Sequence, residues 1–140
     1  MSADSPAAHP RRVLVADDEP HIGRIIQMKL EQGPYEVTLV PDGRAALEEL
    51  RSDAPIDLVL LDIMMPHATG LEVLAEARGL PHRRDTPVII LTAKGQDADR
   101  RQALELGAAD FFTKPFSPKR LLARVDEIFG APQGAGGGAG

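Results

Sequence analysis

A chain of 140 residues that is 43% hydrophobic, with no Trp, one Tyr and four Phe, suits one domain of ordinary size with an aliphatic core. Its formal net charge of −5 excludes a free-standing nucleic-acid binder, which needs a basic face, and the absence of cysteine excludes disulfides and thiolate metal sites. No apolar run approaches the roughly 18 residues of a membrane span, and "MSADSPAAHPRR" at the start lacks the apolar centre of a signal peptide, so a soluble cytoplasmic protein is expected.

Residues 1–10 are small, polar and proline-bearing and read as a flexible tail. Short aliphatic runs then alternate with helical patterns. "RVLVA" (12–16) predicts a strand. "HIGRIIQMKLEQG" (21–33) places Ile22, Ile26 and Leu30 at helical spacing, with Pro20 near the first turn and Gly33 at the end. "YEVTLV" (35–40) alternates as a strand, and "DGRAALEELRSD" (42–53) reads as a helix capped by Asp42. "DLVLL" (57–61) is a continuous apolar strand, followed by a helix over 70–80 and a strand at "PVIIL" (87–91). A helix over 96–107 closes on Gly107, and "ADFF" (109–112) is a short strand. The last helix, 117–130, has Ser117 as N-cap, Pro118 at N1 and Gly130 at its stop. "APQGAGGGAG" (131–140) cannot bury apolar surface and is expected to be a second flexible tail, leaving one folded domain over 11–130.

Five βα units with strands apolar on both faces predict an α/β fold, a doubly wound parallel sheet covered on both sides. Ligands of such sheets bind beyond the carboxyl ends of the strands. Four of the five ends deliver charge or a hydroxyl to that edge: Asp17 and Asp18 with Glu19 after the first, Asp62 after the third, Thr92 after the fourth, and Thr113, Lys114 and Pro115 after the fifth. Taken singly, each has an ordinary use as a cap, a turn former or a solvated lysine. His21, His67 and His82 lie on dissimilar segments without ligand spacing and read as surface residues. Taken together, three carboxylates on one edge repel and require a cation. Hard oxygen donors, few and partly hydrated, suit Mg²⁺ or Mn²⁺. The anion that matches a metal, an ammonium and a hydroxyl together is a phosphoryl group. Asp62, on a rigid central strand, can then attack phosphorus and become an aspartyl phosphate. Pro66 and Gly70 shape the loop behind it and leave the Met64 carbonyl free to face the metal.

With these residues in place, the sequence resembles the receiver (CheY-like) domain of bacterial two-component response regulators. The matching stretches are "VLVADDEP", "DLVLLDIMMPHATGLEVL", "PVIILTA" and "GAADFFTKPFSP", in order across nearly all of 12–129. The resemblance implies the flavodoxin/CheY-like strand order 2-1-3-4-5. It implies that Asp62 is the phosphoacceptor, that Asp18 binds Mg²⁺ directly and Asp17 through water, and that the Met64 carbonyl is a further ligand. It also implies that Thr92 contacts the phosphoryl oxygens, that Lys114 pairs with them, and that the Lys114–Pro115 peptide is cis. Phe111 takes the aromatic switch position, whose movement with Thr92 remodels the face of the fourth helix, fifth strand and fifth helix.

The implied function is Mg²⁺-dependent acceptance of a phosphoryl group from a histidine kinase or histidine phosphotransfer protein. Such a chain promotes its own phosphorylation and dephosphorylation and is no separate catalyst. Output is expected through a downstream protein target, without direct nucleic-acid or membrane contact. Ile25 and Met28 lie off the Ile22/Ile26/Leu30 stripe, so the kinase is expected to dock on the first helix. Many DNA-binding members of the family read "GADDY" and "SPKELLAR" where this chain has Ala109 and Arg120, while Asp110 and Arg124 remain. A monomer is therefore expected, with a weak dimer as the lesser option. Three alternatives stand beside this reading: a phosphate-shuttling receiver of a phosphorelay, the receiver fragment of a longer regulator, and a haloacid-dehalogenase-like Mg²⁺ phosphatase. The last also uses an Asp nucleophile, but with an Asp-x-Asp pair on the first strand. A flavodoxin-like cofactor binder fits less, because "DDEP" repels phosphate where that class needs a Gly/Ser/Thr cradle.

Overall fold

The computed structural model describes residues 10–93 and 97–130; the expected tails, residue 10 apart, lie outside that range, as does the expected start of the fourth helix at Gln96. The chain runs β1 (Arg11–Ala16), α1 (Pro20–Leu30), β2 (Tyr35–Val40), α2 (Gly43–Arg51), β3 (Leu58–Asp62), α3 (Gly70–Gly79), β4 (Val88–Thr92), α4 (Asp97–Glu105), β5 (Asp110–Thr113) and α5 (Pro118–Ile128). All four strand pairings are parallel, and the sheet order is β2-β1-β3-β4-β5. From β1 the chain steps to one side for β2 and then crosses to the other for β3. The strand order therefore reverses between β1 and β3, and the crevice at their carboxyl ends is where such sheets hold ligands.

The sheet buries two aliphatic layers. On one face Val13, Val15, Leu58, Leu60, Ile89 and Leu91 meet Ile26 and Leu30 of α1 and Leu121 and Val125 of α5. On the other, Leu14, Val59, Leu61 and Ile90 meet Leu50 of α2, Leu74 of α3 and Ala103 of α4. Every residue of β3 and of β4 is buried, which accounts for their unbroken apolar runs.

Both central strands end one residue later than their apolar runs suggest. Asp62 pairs in register with Leu91, and Ile63 N–H still donates to the Leu91 carbonyl at 3.0 Å, so the ladder carries the acidic residue inside the strand. Asp57 falls outside β3, and its carboxylate accepts from Arg12 N–H at 2.7 Å. The caps follow the sequence: Asp42 accepts from Ala45 N–H, Ser117 accepts from Arg120 N–H, and Gly107 closes α4 at a φ of +85°. A reciprocal capping box between Thr69 and Glu72 starts α3. Gly70 is required there, because a Cβ on it would sit 2.4 Å from the Asp62 carbonyl oxygen. The close approach of α3 to the end of β3 thus fixes the backbone of Asp62.

Two arginines, Arg78 in the last turn of α3 and Arg83 in the segment between α3 and β4, act as internal fasteners. Arg83 is 4% exposed and donates to the carbonyls of Leu50, Ser52 and Ala54 at 2.7–2.9 Å, closing the end of α2. Arg78 donates to the carbonyls of Leu106 and Gly107, both at 3.0 Å, and so ties α3 to the end of α4.

Candidate phosphoryl-acceptor site

The sheet brings the predicted acidic residues together. Asp17 follows β1, Asp62 closes β3, and carboxylate oxygens of Asp17, Asp18 and Asp62 all lie within 4.8 Å of one another. Asp17 and Asp62 are buried, and Asp18 is exposed. Lys114, just past β5, fills the centre of the cluster. Its Nζ lies 2.8 Å from Asp17 Oδ2, 2.9 Å from Glu19 Oε1 and 3.0 Å from Asp62 Oδ2. The other oxygens are used by the backbone: Asp17 Oδ1 accepts from Glu19 N–H at 2.9 Å and Asp62 Oδ1 from Met64 N–H at 3.2 Å.

The electrostatics follow from this packing. Burial pushes the Asp62 carboxyl above the ordinary aspartate range, the Lys114 ammonium pulls it back, and Asp17 adds repulsion. Burial works against the Lys114 charge, but Asp17, Glu19 and Asp62 outweigh it and hold the ammonium more firmly protonated than a free lysine. Lys114 also holds the Glu19 carboxyl below its usual value. The donor set consists of hard oxygens with the chemistry of a Mg²⁺ or Mn²⁺ site, and the ammonium partly balances it.

The remaining predicted residues fall on the same edge or next to it. Thr92 is the buried last residue of β4, in register with Thr113. The Met64 side chain is exposed on the loop after β3, and the Lys114–Pro115 peptide is cis. Phe111 is 6% exposed, inside the core layer of α2, α3 and α4, and the Arg100 guanidinium lies 5.3 Å from its ring centre. None of His21, His67 and His82 joins the carboxylate cluster: His67 is half exposed, 3.9 Å from Asp42, and the His82 ring faces the carbonyls of Leu50 and Ser52. On α1, Ile25 and Met28 are 44% and 64% exposed, off the buried stripe of Gly23, Ile26 and Leu30.

Sequence reading gave Glu19 no role beyond following the acidic pair. The signal was its position directly after the acids at the end of β1, which places a third carboxylate within reach of Lys114.

The chain's relationships match this geometry. Residues 13–126 match the family model described as the response regulator receiver domain. The probable transcriptional regulator ycf27 of Galdieria sulphuraria is 47% identical over 81% of this chain and 43% of its own length. The alkaline phosphatase synthesis transcriptional regulatory protein PhoP of Bacillus subtilis is 41% identical over 84% of this chain and 48% of its own, and the phosphate regulon transcriptional regulatory protein PhoB of Escherichia coli 40% over 84% and 51%. The chain thus spans about half the length of these curated relatives. Among solved structures, the receiver domain of the Francisella response regulator 1452 superposes with a TM-score of 0.78 at 34% identity, covering 86% of this chain and 97% of that one. A CheY-like receiver domain protein from Methanospirillum hungatei JF-1 gives 0.81 at 27% identity over 86% and 94%. The acidic crevice between β1 and β3, the lysine at its centre and a family match that takes in all five strands lead to one conclusion: this chain belongs to the response regulator receiver domain family.

Proposed function

We propose that Asp62 is the residue of this receiver domain that accepts the phosphoryl group, with a histidine kinase or histidine phosphotransfer protein as donor. The observation that carries the reading is the Asp62 carboxylate held at the central crevice, 3.0 Å from an ammonium that three carboxylates share. In the transfer, one Asp62 carboxylate oxygen forms a bond to phosphorus while the bond from phosphorus to the donor nitrogen breaks. The rigid end of β3, backed by Gly70, fixes the direction of that oxygen. Lys114 moves from its carboxylate partners to the incoming phosphoryl oxygens, so the positive charge is in place before the transfer starts. Thr92, at the end of the neighbouring strand, donates its hydroxyl to the same oxygens.

Asp17, Asp18 and Asp62 with the Met64 carbonyl would hold a Mg²⁺ or Mn²⁺ ion, Asp18 being the exposed carboxylate free to turn to it. Bound there, the ion supplies positive charge that lowers the repulsion between an anionic donor and an anionic nucleophile. The consequence of transfer is a shift of Thr92 and Phe111 that changes the face of α4, β5 and α5. A downstream protein reads that face.

The test is incubation with acetyl phosphate and Mg²⁺ followed by intact mass measurement. One added phosphoryl group is expected on the wild type and none on Asp62→Ala. A wild type without adduct, or an undiminished adduct in the variant, refutes the assignment. Steady turnover of small phosphate esters would instead favour a hydrolase.

A further inference from the structure

The Lys114 ammonium donates to three carboxylates: Asp17 Oδ2 at 2.8 Å, Glu19 Oε1 at 2.9 Å and Asp62 Oδ2 at 3.0 Å. An ammonium has three donors, so the lysine is saturated. It must release one partner before it can donate to an incoming phosphoryl oxygen. The partners differ in what that release costs. The side chains of Asp17 and Asp62 are 1% and 5% exposed, and either would be left charged, buried and without its cation. The Glu19 side chain is 47% exposed, so its carboxylate returns to water at little cost. Glu19 also stands outside the group of Asp17, Asp18 and Asp62 that suits an ion.

The backbone holds Glu19 in this place. It is the N-cap of α1: its carbonyl accepts from Ile22 and Gly23 N–H, both at 3.1 Å, and its own N–H donates to Asp17 Oδ1 at 2.9 Å. Its side chain makes no capping bond, although the start of a helix favours a carboxylate. The side chain reaches instead to Lys114, past the end of β5. A short acid or hydroxyl would serve the helix better; the longer glutamate serves the lysine.

We infer that Glu19 is a placeholder: its carboxylate occupies the position on Lys114 that a phosphoryl oxygen takes, and it leaves when that oxygen arrives. The inference deepens the reading of Asp62 as phosphoacceptor and rests on it. Glu19 is a positioning residue with two effects. It keeps the ammonium turned toward solvent, where the phosphoryl group enters, and it competes with that group for the ammonium. Phosphoryl acceptance is therefore restrained by a half-exposed ion pair that the transfer must break.

The test uses the full chain with Glu19→Gln, Glu19→Asp and Lys114→Met, all in saturating Mg²⁺. Glu19→Gln removes the charge. Glu19→Asp keeps the charge but is one methylene too short for Lys114 and can cap α1 instead. Intact mass after acetyl phosphate should show both Glu19 variants labelled about threefold to fivefold faster than wild type, the scale of a half-exposed ion pair. Their affinity for beryllofluoride, which stands in for the phosphoryl group, should rise by a similar factor. A second readout is the ¹³C resonance of the Glu19 side-chain carboxylate, assigned by its loss in Glu19→Gln. Beryllofluoride should move it in wild type to the position it holds in Lys114→Met, a displacement that a merely structural glutamate does not show. Equal or slower labelling of both Glu19 variants, or a resonance that stays in place on loading, would overturn the inference. So would Glu19→Asp labelled at the wild-type rate beside a faster Glu19→Gln, because the restraint would then be negative charge near the crevice and not the bond to Lys114. A wild type without adduct refutes phosphoryl acceptance itself, while the resonance still decides whether an anion on Lys114 displaces Glu19.

Discussion

The Lys114 ammonium stands 3.0 Å from the Asp62 carboxylate while also bonding Asp17 and Glu19. One cation therefore neutralises part of a cluster that keeps an excess of negative charge. Lys114→Ala leaves buried carboxylates facing one another. Without divalent ions it should lose about 3 kcal/mol of stability in urea unfolding, as expected for removing one partner of a buried charge set. Mg²⁺ should restore more of that loss than it adds to the wild type. A variant equally stable with EDTA and with Mg²⁺ would show that Lys114 does not balance the cluster.

Asp62 gives a prediction with a definite sign. Burial raises its folded-state pKa above the unfolded value, so its charged form costs the fold stability. That cost sets in as pH rises through the unfolded value of about 3.9 and is complete above the folded value. Asp62→Asn keeps the shape and removes the charge. In metal-free buffer at neutral pH it should be more stable than wild type by about 1 kcal/mol. The advantage should vanish in acid. A variant destabilised at pH 7, or an advantage that grows toward pH 3, would contradict the assignment of burial as the leading cause.

Asp18 is the exposed member of the trio, and Lys114 pairs with Asp17, Glu19 and Asp62 instead, so Asp18 is the carboxylate most available to an ion. Asp18→Ala should weaken Mg²⁺ binding at least about tenfold by calorimetry, with little loss of stability in the metal-free protein, because one repelling charge is removed. Unchanged Mg²⁺ affinity would exclude Asp18 as a ligand.

What was legible beforehand, and what was not, separates along physical lines. Unbroken apolar runs such as Leu58 to Leu61 and their spacing by helices fix a two-sided parallel sheet, because only burial on both faces makes such runs. The acidic, hydroxyl and lysine residues at the strand ends then converge by geometry. The strand order came through the family resemblance, since hydrophobic pattern alone does not rank parallel neighbours. Arg83 was not legible: in "PHRRD" it looks like a solvated loop residue, yet its partners are backbone carbonyls about thirty residues earlier. Backbone acceptors leave no mark in the sequence. The Thr69–Glu72 capping box was present in the residue spacing and went unread.

That buried arginine makes a clean control for function. Arg83→Met keeps much of the side-chain volume but removes the hydrogen bonds to the carbonyls of Leu50, Ser52 and Ala54, of which the first two still face the His82 ring. Stability should fall by about 2 kcal/mol, since each lost hydrogen bond contributes on the order of 1 kcal/mol and the His82 ring offsets part of the loss. Acetyl phosphate labelling of the folded fraction should be unchanged, because Arg83 joins α2 to the segment before β4 and touches no site residue. A labelling defect in the folded protein would mean that the end of α2 positions Asp62.

The first helix offers the sharpest separation of docking from chemistry. Ile25 and Met28 are exposed on α1, whose first residue, Pro20, follows directly on Asp17, Asp18 and Glu19. Large apolar side chains exposed beside a charged site suit a partner that covers them while bringing its phosphohistidine to Asp62. A carboxylate at either position would face the apolar partner unpaired, so Ile25→Asp or Met28→Asp should slow transfer from the cognate kinase about tenfold or more, the cost of an interface hot spot. Both variants should fold normally, as neither residue belongs to the buried stripe. Labelling by acetyl phosphate should continue at the wild-type rate, because that donor needs only the crevice. Transfer from the kinase at full rate in both variants would place its docking surface elsewhere, while loss of both labelling reactions would mean that α1 supports the acidic pair rather than the partner.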